Sequence, residues 1–188
     1  MHSLRLTLLS GLLLLVAMIG RPLHAQPESE SAVQFSVAEP ASGALGQDEL
    51  RDIASTIRRL ETYPGADGAL EARITLVQWL QGSPDLTVSI CPAIASPFIA
   101  GESRALRAAL QQHLLSTAAY EIENPDADSP VDAKLSGLTG ALKAYRALSR
   151  GDVDTDREGG IANLLQLQDE GKLRAFVEQG LERCRSEE

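Results

Sequence analysis

The side chains best equipped for chemistry in this chain are few, and most are carboxylates. Asp152, Asp154, Asp156 and Glu158 stand at alternate positions in a polar stretch between two helical patterns. Oxygen ligands spaced in this way can converge on a hard cation, as the loop of an EF-hand does around Ca2+. The fit is incomplete. The sixth position carries Arg157 where a turn glycine is needed, and the twelfth carries Asn163 where a bidentate glutamate would close the shell. Ca2+ is the one cofactor for which the sequence offers ligands, and a solvated loop that caps a helix accounts for the same residues without it. A second acidic run, Glu121, Glu123, Asp126, Asp128 and Asp132, is broken by Pro125 and Pro130. It reads as an exposed turn between helices, with acids placed to suit the dipole of the helix that follows.

Of the three histidines, His2 and His24 fall in an N-terminal leader, so His113 is the only imidazole of the mature chain. A general base near neutral pH would have to be His113 or a perturbed carboxylate. No G-x-S-x-G turn supplies a nucleophile beside it, no glycine-rich loop is arranged for phosphate, and a metal site built on histidines would need more than one. His113 follows Leu106 by one heptad on an otherwise apolar sector, which predicts a buried ring hydrogen-bonded to a neighbouring helix. Cys91 and Cys184 are the only cysteines. In an exported chain such a pair is expected to form a disulfide, worth about 4–5 kcal/mol by loop closure across a sequence separation of 93.

Export is read from the N-terminus. A basic start at Met1–Arg5, an apolar run from Leu6 to Gly20, and a polar break ending at Ala25 form the pattern of a secretory signal peptide. The apolar run is shorter than the roughly 20 residues that a membrane-spanning helix requires. Cleavage after Ala25 leaves about 163 of the 188 residues, enough for one domain with its own core. It also removes Arg5 and Arg21 and no acid, which takes the formal charge from −9 to −11. Such acidity argues against nucleic acid and against anionic membrane as partners of the mature chain, since both would repel it.

The elements that must position these residues are helical. Residues 26–46, rich in Glu, Ser, Pro, Ala and Gly, read as a flexible lead-in to a single helical domain over 47–188. Leu50, Ile53, Ile57 and Leu60 define one helix face, and Leu70, Ile74, Val77 and Leu80 define a second, the two joined as a hairpin across Tyr63-Pro64-Gly65. The longest pattern, Glu102–Glu123, is apolar on two sides, with Leu106, Leu110 and Leu114 opposite Leu115, Ala119 and Ile122. A helix of that kind belongs inside a bundle. Over 131–148 a stripe of Ala133, Gly137 and Ala141, with Gly140 and Ala144 beside it, offers a flat surface for close packing, and the alanines of 102–123 are its expected partner. Two further helices follow, one with Ile161, Leu164 and Leu165, the other with Leu173, Phe176, Val177, Leu181 and Cys184 on one face.

The stretch between 83 and 101 is the least regular. Leu86, Val88 and Ile90 alternate with polar residues, so 86–91 could pair with 32–37 as a minor two-stranded element, although a short helix broken at Pro92 is favoured. Pro92 and Pro97 predict an irregular, functional loop over 91–101. Together these patterns predict an all-α bundle or array of about six antiparallel helices built from helical hairpins. The function expected is that of a non-catalytic binding or interaction module, secreted to the periplasm or extracellular space, with a protein partner. The alternatives are a secreted hydrolase using His113 or paired carboxylates, and a calcium-stabilised structural protein using Asp152, Asp154, Asp156 and Glu158.

Overall fold

Seven α-helices make up the regular structure among the described residues, which are 33–35, 45–84, 86–100, 102–150 and 159–186 of a computed structural model. The leader expected over 1–25, most of the lead-in, and the loop carrying Asp152, Asp154, Asp156 and Glu158 lie outside them. Helix α1 (Gln47–Thr62) begins with Asp48 and Glu49 at the positive end of its dipole and with the Gly46 N–H donating to the Glu49 carboxylate at 2.8 Å. Its face of Ile53, Ile57 and Leu60 is buried, as the spacing predicts. The turn that follows leads into α2 (Ala69–Gly82) through Gly68, whose φ of +76° only glycine adopts freely. A Cβ at Gly68 would also stand 2.3 Å from the carbonyl oxygen of Phe35. Phe35 lies inside the segment read as a lead-in, yet it is part of the core. Its N–H donates to the Asp67 carbonyl at 2.9 Å, and the Arg59 guanidinium sits 5.0 Å above its ring.

Helix α2 is rotated relative to the predicted stripe. Its buried residues are Ala69, Ala72, Arg73, Leu76, Trp79 and Leu80, while Leu70 and Ile74 stand 40% and 41% exposed. The bulk of Trp79 explains the difference. Placing the largest apolar side chain inward carries Leu76 and Arg73, three and six residues earlier, to the same side. Beyond α2, residues 86–90 run without regular structure, so among the described residues neither the short helix nor the ribbon with 32–37 forms. Gln34 bridges in parallel to Asp67 instead. The 86–90 run is held by the buried ammonium of Lys134, which donates to the Ser89 carbonyl.

The loop anticipated over 91–101 is largely a helix, α3 (Pro92–Ile99). Pro92 occupies a helical N-terminus, where its missing N–H costs nothing, and the Ile94 and Ala95 amides both donate to the Cys91 carbonyl. Pro97 deletes one interior bond, and the burial of Ile94, Ala95 and Phe98 offsets that loss. Helix α4 (Arg104–Glu123) is central, as its pattern predicts. It starts at the Ser103 cap, whose hydroxyl accepts from the Leu106 N–H at 3.2 Å. Along its length it joins two cores. Leu115, Ala118 and Ala119 pack with Ile57, Leu76 and Trp79, whereas Leu106 and Ala109 pack with Phe98, Leu142 and Tyr145.

Helix α5 (Pro130–Leu148) lies against α4 through the small-residue face read from the sequence. A Cβ on Gly137 would fall 2.2 Å from Thr117 Oγ1 and 2.7 Å from the His113 carbonyl oxygen, and one on Gly140 would fall 2.2 Å from Ser116 Oγ. Glycine is what permits that approach. Helices α6 (Gly159–Asp169) and α7 (Leu173–Ser186) close the second core with Ile161, Leu164 and Val177, the chain reversing at Gly171 with φ +69°. Cys184 on α7 reaches Cys91 ahead of α3, and the two stand at disulfide distance with their Cα atoms 5.9 Å apart. No helix among the described residues is long and apolar enough to cross a membrane.

Candidate functional site

His113 sits midway along α4, 1% exposed, with its ring stacked 6.2 Å from that of Phe98. Burial pushes the imidazole down to about 4, the Lys134 ammonium adds to the effect, and the Gly137 backbone opposes it. Gly137 is thus the neighbour on the adjoining helix that the sequence predicts, but it faces the ring without closing a hydrogen bond, and neither ring nitrogen has another partner. The ring is enclosed where α3 and α5 pack on α4, away from solvent.

Ser116 and Gln112, on the adjoining turns of α4, enter a buried polar cluster. The Ser116 hydroxyl donates to Glu61 Oε1 at 2.8 Å, and Gln112 Nε2 donates to Ser116 Oγ at 3.0 Å and to the Ile57 carbonyl at 3.3 Å. Arg58 binds the same Glu61 oxygen at 2.6 Å and grips Glu123 through two further contacts at 2.7 and 3.1 Å. Burial pulls the Arg58 pKa down, but the two carboxylates outweigh it and raise it overall. Arg58 also donates to Ser136 Oγ at 3.2 Å and the Lys143 ammonium lies 3.9 Å from Glu61, so this cluster ties α1, α4 and α5 together, with Gln112 Oε1 left without a hydrogen bond among the described residues. A larger hollow of about 580 Å³ near Leu50 and Ile122 is bordered by acids: its Arg51 pairs with Asp48 and its Glu123 with Arg58, while Glu121 has no ion pair among the described residues.

A cleft of about 310 Å³ between α2 and the first half of α4 is lined by cations and no acid. Arg104, Arg107 and Gln111 line it at helical spacing i, i+3 and i+7, Arg73 faces them from α2, and Leu70 and Leu148 supply apolar wall. Arg73 is 2% exposed and has no carboxylate partner among the described residues. One guanidinium nitrogen donates to the Pro64 carbonyl at 3.2 Å, and Nε is buried without any partner. Burial and the like charge of Arg104 bring its pKa down to about 10. Among the described residues Arg107 reaches only a neutral acceptor, the Glu102 carbonyl, and Arg104 forms no ion pair. In a chain of formal charge −9, three guanidinium groups around one cleft with no acid among its lining residues form a local positive field.

Of the residues singled out from the sequence, Cys91 and Cys184 are brought together, His113 is buried within the bundle, and Asp152, Asp154, Asp156 and Glu158 lie outside the described residues. No group of three or more metal-ligating side chains occurs among the described residues. The arginine cleft was not singled out. The signal available was the cationic stripe of Arg104 and Arg107 on the first two turns of α4, where the helix dipole makes positive charge unfavourable. Comparison with known proteins finds no family model, no curated protein and no solved structure that matches this chain.

Proposed function

We propose that the mature chain is an exported, non-catalytic binding module of the periplasm or extracellular space, and that it holds an acidic group of its ligand in the arginine cleft. The observation that carries this reading is the buried Arg73 guanidinium, which borders the cleft with no carboxylate against it. An unpaired charge so placed costs folding energy, and an anionic ligand is the natural source of compensation. Export is supported by the leader pattern and by a cysteine pair at disulfide distance, an arrangement that persists in oxidising compartments. Burial of His113 at 1% exposure counts against the form of the hydrolase alternative that uses His113.

The reading is tested by immobilising the mature chain, passing its native medium or envelope extract over it, and identifying what is retained. The retained species should be acidic, should elute as ionic strength rises, should be chemically unchanged, and should be lost when Arg104 and Arg107 are both replaced by Gln. Identical retention by the wild-type and doubly substituted chains would overturn it.

A further inference from the structure

We propose that the acidic group held in this cleft is a phosphate, a dianionic tetrahedral oxyanion gripped jointly by Arg73, Arg104 and Arg107. This inference rests on the binding-module reading and narrows it to a ligand class. The number and type of the cations decide between acids. A planar carboxylate has one charge and two oxygens, which one or two guanidinium forks satisfy, and a third would remain unpaired in the cleft. A phosphate carries about −1.5 to −2 charges near neutral pH and offers three acceptor oxygens. Three guanidinium groups offer a donor fork to each of its three oxygens, its charge offsets more of theirs than a carboxylate's does, and lysines would supply only point charges.

The position of the cleft strengthens the match. Arg104 is the first residue of α4, Arg107 lies one turn on, and no acidic residue occupies that first turn. Positive side chains at the positive end of a helix repel its dipole, and an anion seated among them reverses the sign of both terms. Arg73 gives the independent indication of a ligand. Its Nε is buried with no acceptor, its one hydrogen bond goes to the neutral Pro64 carbonyl, and the charge acting on it is that of Arg104. A phosphate in the cleft offsets the repulsion between Arg73 and Arg104. Leu70, at 40% exposure, and Leu148 border the same space, so an ester of phosphate has apolar wall along which to lay its organic part.

Calorimetric titration of the disulfide-bonded mature chain at low ionic strength with phenyl phosphate, benzoate and inorganic phosphate tests this directly. Phenyl phosphate should bind at least about tenfold more tightly than benzoate, which has the same ring and a carboxylate head. Raising the salt should weaken binding, and Arg73→Met should abolish it. Because Arg73 is buried, the double variant Arg104→Gln/Arg107→Gln, altered only at exposed positions, serves as the second test and should lose at least about tenfold while melting as the wild type does. Inorganic phosphate binding as tightly as phenyl phosphate would identify the free anion as the ligand. Tighter phenyl phosphate would identify an ester, and either outcome supports the proposal. Benzoate binding equally well, no binding of either phosphate compound, or full affinity in the double variant would overturn it. If the immobilised chain still retains acidic species that carry no phosphate, the ligand class is wrong and the binding module stands.

Discussion

Arg73 and His113 are buried ionisable residues of opposite meaning. His113 is shielded on every side, by Phe98 of α3 and by Lys134 and Gly137 of α5, and none of these is an acid. Its pKa is about 4 in the folded chain against 6.5 for the free side chain, so between those values the unfolded state binds the proton that the folded state refuses. Stability should therefore fall as pH drops from about 6.5 to 4, by about 3 kcal/mol in all, and the fall should end below 4. Urea unfolding at stepped pH checks this, and His113→Leu should remove that component of the slope. Among the described residues Arg73 has a single partner, the neutral Pro64 carbonyl, and in the proposed reading its charge serves the ligand rather than the fold. Arg73→Met is thus expected to raise the stability of the ligand-free chain by about 1 kcal/mol while it destroys binding, a separation that thermal melting and titration would read on the same sample.

Packing between elements is set by the contact of α4 with α5. The glycines there are required by the space rather than by backbone angles, since Gly137 stands where a Cβ would press on the His113 carbonyl. Gly137→Ala should therefore destabilise by about 1–3 kcal/mol, although alanine is the better helix former, and chemical denaturation would measure it. Much of this level was legible in the sequence. The spacings of Ile53, Ile57 and Leu60, the two apolar sides of α4, and the stripe of Ala133, Gly137 and Ala141 all follow from a period of 3.6 residues, and local pattern was sufficient for them. Helix α2 was displaced because the period leaves the phase ambiguous when apolar residues cover most of the circumference, and Trp79 settles it by volume. Helix α3 was hidden by Pro92 and Pro97, whose local cost is overcome by the burial of Phe98. The arginine cleft could not be read locally. It gathers Pro64 from a turn, Arg73 from α2, Arg107 from α4 and Leu148 from the end of α5, and tertiary packing alone brings these together.

Across the whole molecule, the Cys91–Cys184 link closes the second core by fixing α7 to the start of α3, and it does not touch the cleft. Replacing both cysteines by Ser should cost up to about 4–5 kcal/mol through the freed entropy of the unfolded chain, and phosphate affinity should survive wherever the variant remains folded. Arg73, Arg104 and Arg107 thus gather at one cleft of an otherwise acidic chain, an arrangement that suits the anion binding proposed above. The central claim is that this cleft holds an acidic ligand. Native mass spectrometry of the exported chain, isolated at low ionic strength from its own medium, tests it most directly. We expect a bound acidic species that adds a discrete mass to the wild-type chain and is missing from the Arg104→Gln/Arg107→Gln variant. A ligand-free wild-type mass, or the same adduct on both chains, would contradict the account.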